Sequence, residues 1–137
     1  MDIYSPTKRS QLMAKVGSRN TKPELRVRST IHKLGFRFRV NRADLPGRPD
    51  IVLPRHKKVI FVHGCFWHQH VECAKARRPR TNVAFWDAKL DANVKRDGVT
   101  QQRLTDLGWE VMVVWECEAR NKVALIPKLT GFLAHES

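Results

Sequence analysis

The sequence predicts an α/β fold in which a small mixed β-sheet is flanked by helices. Two apolar runs, Val59–Val62 and Trp109–Trp115, read as strands in that sheet. Phe36-Arg-Phe-Arg-Val40 alternates apolar and basic residues, the period-2 signature of a half-buried strand. Between and around these runs lie stretches with helix start and stop signals, giving the order α-α-β-β-β-α-β-α.

Each element has its own warrant. Ser5-Pro6-Thr7 offers a helix start, and Thr7 to Val16 carries Leu12, Met13 and Val16 among Lys8, Arg9 and Lys15. Ser18-Arg19-Asn20 breaks that helix. Thr21-x-x-Glu24 is a capping box with Pro23 in the first turn, so a second helix starts there. Its partly apolar stripe is Leu25, Ile31 and Leu34, and Gly35 stops it. Spacing alone favours Glu24 as a capping carboxylate over a metal-associated one. After the Phe36–Val40 strand, Leu45-Pro-Gly-Arg-Pro49 is a turn. Asp50–Leu53 and Val59–Val62 follow as an antiparallel hairpin, which brings Asp50 near His63 at the end of the next strand. Thr81 or Asn82 caps a long helix to Leu107, stopped by Gly108. Phe85, Leu90, Val94 and Leu104 are its expected core contacts, and Gly98 is placed for a kink. Glu116-Cys117 leaves the last strand, and Asn121–Ala134 is a closing helix interrupted by Pro127.

Composition narrows the function. With 137 residues the chain is read as one domain spanning 1–137. Its 26 Lys plus Arg against 13 Asp plus Glu leave a net charge of +13, which favours a polyanionic partner. No apolar run approaches the ~20 residues of a membrane span, and the N-terminus lacks a signal-peptide core. No membrane partner is expected. Three cysteines are an odd number for a disulfide framework. A reducing, cytoplasmic setting is expected instead.

The chemistry concentrates between Val59 and Cys73. Within eleven residues the strand end meets His63, Cys65, Phe66, Trp67, His68, His70 and Cys73. Cys65, His70 and Cys73 with Cys117 make a Cys3His set, which suits a structural, tetrahedral Zn²⁺. His63 and His68 are then left over, and spare imidazoles beside a strand end read as catalytic. Asp50, near them across the hairpin, reads as functional rather than as a turn cap. The basic loop Ala74–Arg80, with Arg77, Arg78 and Arg80, suits phosphates, although a solvated linker is the simpler explanation. Arg48, in the turn before Asp50, is grouped with them as a DNA contact.

The strand-end carboxylate resembles the restriction-endonuclease-like core, whose signature is Pro-Asp followed by Glu-x-Lys or Asp-x-Lys. Pro49-Asp50 supplies the first part, while Val62-His63-Gly64 stands at the second. Leu45-Pro-Gly-Arg-Pro-Asp50, Phe61-Val-His-Gly-Cys-Phe-Trp-His68, Asn93-Val-x-Arg-Asp97 and Leu107-Gly-Trp…Val-Trp-Glu-Cys117 closely resemble the very short patch repair (Vsr) endonucleases. The resemblance runs from about Thr7 to Cys117, in order and at nearly the same spacing. It implies a restriction-endonuclease-like fold and an Mg²⁺-dependent, strand-specific nick beside a thymine–guanine mismatch left by deamination of 5-methylcytosine.

It also implies roles. Asp50 matches the metal-binding aspartate, and Val62 the residue whose backbone carbonyl faces the metal. His68 matches the water-activating histidine, Asp97 its carboxylate partner, and His63 a second histidine at the scissile phosphate. Glu24 matches an acidic residue near the metal's water shell, which brings that reading level with capping. Cys65, His70, Cys73 and Cys117 match structural zinc ligands, with a His70–Cys73 interval often one residue shorter in the family. Phe66, Trp67 and Trp86 match aromatics that wedge into DNA, and Met13 a residue entering from the minor groove, so residues 1–20 are expected to form a DNA-contacting helix or arm. The implied partner is mismatched double-stranded DNA and the implied setting the bacterial nucleoid, with the protein acting as a monomer. Two other readings stay open: a zinc-stabilised DNA-binding protein without catalysis, and a nuclease of this fold with relaxed mismatch choice.

Overall fold

The computed structural model describes residues 21–134, so the Thr7–Val16 helix and Met13 lie outside the described residues. In chain order the elements are α1 (Lys22–Lys33), β1 (Arg39–Val40), β2 (Ile51–Leu53), β3 (Lys58–His63), α2 (Val83–Asp106), β4 (Glu110–Trp115), α3 (Glu116–Ala119) and α4 (Lys122–Ala134). The four strands form one mixed sheet in the order β1-β2-β3-β4. β1 and β2 pair antiparallel, as do β2 and β3, with Ile51 opposite Ile60 and Leu53 opposite Lys58. β3 and β4 are parallel, Val62 against Val114 and His63 against Trp115, and α2 makes the crossover between them. The predicted mixed sheet and its hairpin are therefore present.

Side-chain alternation sends the strands' residues to two cores. Ile51, Leu53, Ile60 and Val114 face a cluster with Val27 and Ile31 of α1 and Leu125, Leu129 and Leu133 of α4. Val52, Val59 and Phe61 face the other way, onto Leu104 of α2 and Trp109. Both faces of the sheet are thus covered, which is why all three β2 residues are buried. Each fully buried Leu or Ile contributes roughly 1.5–3 kcal/mol relative to exposure.

Several expectations need correction. The Phe36–Val40 strand shrinks to Arg39–Val40, because β2 offers only a short partner; Phe36 and Phe38 instead lie half-buried against the core. On α1 the buried stripe is Val27 and Ile31 rather than Leu25, which is 49% exposed. Thr21 does cap α1, its Oγ1 accepting from Glu24 N at 3.4 Å. At α2 the N-cap is Asn82, in a left-handed conformation with no side-chain cap bond. α2 runs through Gly98 as one helix, and only Leu90 and Leu104 along it are buried. Phe85 (60% exposed) and Val94 (44%) are not core residues, although Leu90 between them is fully buried. Pro127 does not interrupt α4. It lies on the exposed side, while Leu125, Leu129 and Leu133, spaced four apart, anchor the opposite face.

Candidate active site and metal centre

The turn before β2 sets the first carboxylate. Gly47 sits at φ +71°, and a Cβ there would meet Thr100 Cγ2 of α2 at 2.2 Å, so only glycine lets the turn press onto the helix. Arg48 follows at φ +50°. Asp50 then emerges with its Oδ2 accepting from Val62 N at 2.6 Å, which ties the start of β2 to the end of β3. Burial pushes the Asp50 carboxyl up to about 7; the Val62 N–H opposes that shift and the nearby Glu24 charge adds to it. Glu24 is itself buried and holds Arg28 Nη2 at 3.2 Å. Two acids in one desolvated corner resist both being charged, so either a proton or a cation must offset them.

β3 delivers the histidines. His63, its last residue, is only 5% exposed. Its ring stacks on His68 at 3.8 Å and 8°, and meets Trp115 edge-on at 5.3 Å. Burial first, then the neighbouring His68, lowers the His63 imidazole to about 4. His68 places Nδ1 2.6 Å from Asp97 Oδ2, and α2 supplies that aspartate. With Nδ1 held by a carboxylate, Nε2 is the nitrogen left for a substrate proton. Glu24, Asp50, Val62, His63, His68 and Asp97 all line one cleft of about 440 Å³, with Arg48 and Arg96 at its wall. Every catalytic candidate named from the sequence therefore meets at one place. Arg96 was not singled out; its place one residue before Asp97 was the available signal.

Beyond His63 the chain folds back on itself. Cys65, His70, Cys73 and Cys117 bring their ligand atoms within 4.8 Å of one another. Cys65 Sγ is 3.6 Å and Cys117 Sγ 3.5 Å from His70 Nδ1. A tetrahedral ion with metal–sulfur bonds of about 2.3 Å and metal–nitrogen bonds of about 2.05 Å needs an S···N edge of roughly 3.6 Å. The set is thus dimensioned for such an ion. Burial pushes the Cys65 thiol up to about 12, so a bound cation is what would make these sulfurs thiolates. Glu72, at φ +60°, takes up the longer His70–Cys73 interval in a left-handed turn without spoiling convergence. The unexpected short α3 carries Cys117. Glu116 on one side accepts from Cys65 N at 3.0 Å, and Glu118 on the other accepts from Trp115 N at 3.0 Å and from Lys128 Nζ at 2.8 Å.

The aromatic candidates also meet. Phe66, Trp67 and Trp86 are half-buried, with ring centroids 5.2, 5.6 and 5.9 Å apart. Phe85 joins Trp86 at 5.3 Å, extending the patch outward. Arg77 and Arg80 are exposed, whereas Arg78 is held by Gln69, Asp87 and Asp91. Asn93 Nδ2 donates to Trp67 O at 3.1 Å, one helical turn before Asp97.

Known proteins match this chain along most of its length. Residues 1–75 match the family described as DNA mismatch endonuclease Vsr. The chain is 46% identical to the type II nicking enzyme V.XorIIP of Xanthomonas oryzae pv. oryzae over 96% of each chain. It is 46% identical to V.NmeAIP of Neisseria meningitidis, over 88% of this chain and 86% of that one. It is 43% identical to the DNA mismatch endonuclease Vsr of Escherichia coli, over 90% of this chain and 79% of that one. With relatives that are nicking enzymes and a mismatch endonuclease, the acid-lined cleft and its His–Asp pair define an endodeoxyribonuclease. The chain belongs to the Vsr family. The reading as a DNA binder without catalysis is set aside accordingly. No helix among the described residues is long and apolar enough to cross a membrane.

Proposed function

We propose that this chain is an Mg²⁺-dependent, strand-specific nicking endonuclease of the restriction-endonuclease-like fold, acting at thymine–guanine mismatches in very short patch repair. One observation carries the reading. A desolvated acid pair, Glu24 and Asp50, shares a cleft with the His68–Asp97 dyad and His63. Asp50 and the carbonyl of Val62 would hold the Mg²⁺, with Glu24 near its water shell. Bound there, the cation neutralises phosphate charge as a Lewis acid. His68 Nε2 takes a proton from the attacking water, while Asp97 fixes the tautomer and stabilises the imidazolium that forms. His63, kept neutral by burial, presents an N–H to the phosphate without competing for that proton. Phe66, Trp67 and Trp86 enter the duplex beside the mismatch, where unstacking costs least; Met13 enters from the other side.

Cys65, His70, Cys73 and Cys117 hold a structural Zn²⁺, since three sulfurs and one imidazole fill a tetrahedron and leave no open position. Arg48, Arg77 and Arg80 meet phosphates. The protein works as a one-domain monomer on nucleoid DNA in the bacterial cytoplasm. The test is nicking of end-labelled duplexes carrying each mismatch, with and without Mg²⁺, by the intact protein and Asp50→Ala. The reading expects a nick on one strand of the thymine–guanine duplex that is lost in Asp50→Ala. Equal nicking of matched duplex would overturn the mismatch reading, and undiminished nicking by Asp50→Ala the metal site.

A further inference from the structure

The three half-buried rings come from two separate elements. Phe66 and Trp67 lie in the loop after β3, and Trp86 in the first turn of α2. Between the last cysteine of that loop and α2, regular structure amounts to one short 3-10 turn, Ala74–Ala76. Main-chain pairing therefore does not fix the rings relative to one another, and side chains must.

Arg78 occupies the junction. Its Nε donates to Gln69 Oε1 at 2.9 Å, Nη1 to Asp87 Oδ1 at 2.9 Å and Nη2 to Asp91 Oδ1 at 2.7 Å. Gln69 stands at φ +52°, and its Nε2 donates to Phe66 O at 2.7 Å and Ala76 O at 3.0 Å. A continuous run of hydrogen bonds thus leads from the Phe66 backbone, through Gln69 and Arg78, to Asp87 beside Trp86. Asp87 and Asp91 are four apart on α2, where two like charges repel unless something bridges them. The planar fork reaches both carboxylates and Gln69 from three separate nitrogens, a spread that the single nitrogen of an ammonium lacks. The pairs are well exposed, with side-chain accessibilities of 32% for Arg78, 46% for Asp87 and 67% for Asp91. Pairs so exposed add little to overall stability, so changing Arg78 leaves the fold intact and perturbs only the local arrangement of the loop and α2. Arg78 also faces two carboxylates, which leaves it no surplus positive charge to offer a phosphate.

We propose that Arg78 is a positioning residue for mismatch selectivity: it locks the Phe66–Trp67 loop to Trp86, so that the rings meet DNA already assembled as one wedge, and it is not a phosphate contact. Pre-assembly matters because rings ordered only on insertion spend part of the favourable free energy of that step on their own immobilisation. That loss falls on wedged complexes alone, so it erodes the mismatch preference and spares matched binding. The proposal rests on the wedge reading above.

The test measures equilibrium binding to matched and thymine–guanine duplexes, over a series of salt concentrations. The proteins are the intact one, Arg78→Lys, Arg78→Ala, the double variant Asp87→Asn/Asp91→Asn, and Trp67→Ala. Metal content and circular dichroism establish that each is folded. The expectation is that both Arg78 variants and the double variant lose mismatch preference, by roughly two- to fivefold, with an unchanged salt slope on matched duplex in the two Arg78 variants. A phosphate contact behaves otherwise: Arg78→Lys keeps the preference, and Arg78→Ala lowers the salt slope by about one. That pattern, or wild-type preference in both Arg78 variants, overturns the proposal. Trp67→Ala separates the two levels. If it retains mismatch preference, the wedge reading fails and the proposal falls with it; if it alone loses preference, the wedge stands and only the role of Arg78 is lost.

Discussion

His68 and His63 are stacked neighbours, yet their surroundings assign them different work. His68 has a carboxylate on Nδ1 at 2.6 Å, which fixes the ring's orientation and leaves Nε2 free to act as a base. His63 is buried among His68, Trp115 and Phe61, which favours the neutral ring. Replacing His68 by Ala should cut the single-turnover nicking rate about 10²–10⁴-fold while duplex binding stays within about twofold, because a base acts mainly in the transition state. A comparable loss of binding would make His68 a phosphate contact instead. His63 gives a pH prediction. Its pKa of about 4 lies below the ordinary 6.5, so between those values the unfolded chain takes up a proton that the folded chain refuses. Stability from this group is therefore complete above pH 6.5 and is lost on acidification towards pH 4. Urea midpoints at pH 7 and pH 5 should diverge less for His63→Gln than for the intact protein, by at most about 2 kcal/mol.

At the scale of elements, the site depends on how closely loops approach α2 and on how the loop after β3 is closed. Gly47→Ala should destabilise the fold by roughly 1–3 kcal/mol, from a strained φ and an overpacked contact. Thr100→Ser in the same chain removes the methyl that a Cβ would strike at 2.2 Å, so it should recover part of that loss in denaturant melts. A double variant no more stable than Gly47→Ala would place the whole cost in the backbone. The metal loop's own main-chain bonds are short-range turns, among them His70 N to Cys65 O at 2.9 Å and Cys73 N to His70 O at 3.3 Å. Its order should therefore come largely from the ion. Chelation ought to release about one zinc per chain and expose Trp115, which stacks on His70 at 4.3 Å. Tryptophan fluorescence and amide exchange in residues 65–73 would register this, whereas protein purified folded and active without zinc would contradict it.

For the whole molecule, the charge of +13 is the dominant long-range property. Neutralising several phosphates releases about one counterion each, so log affinity for matched duplex should fall steeply and linearly with log salt. A nearly flat plot would show that the basic surface is not the DNA-binding one. The same charge explains why matched DNA should be held at all by a protein whose specificity resides in a few rings.

Much was legible in the sequence because the signals are local. The apolar runs Val59–Val62 and Trp109–Trp115, the Thr21–Glu24 cap and the ligand-rich residues 63–73 declare themselves within a few positions, and so do the hairpin and its Asp50–His63 neighbourhood. Other features depend on what lies across space. The length of β1 was set by its short partner β2. Helical Phe85 looked like core but sits exposed against Trp86, and Pro127 looked like a break until three leucines on the far face held the helix. Arg78 read as a phosphate ligand because its carboxylates stand nine and thirteen residues away on another element. Composition and spacing determined which chemical groups this protein possesses and where along the chain they cluster. Only tertiary packing decided which of them face water, which face one another and which are already occupied, because burial and ion pairing are properties of neighbours brought together by the fold.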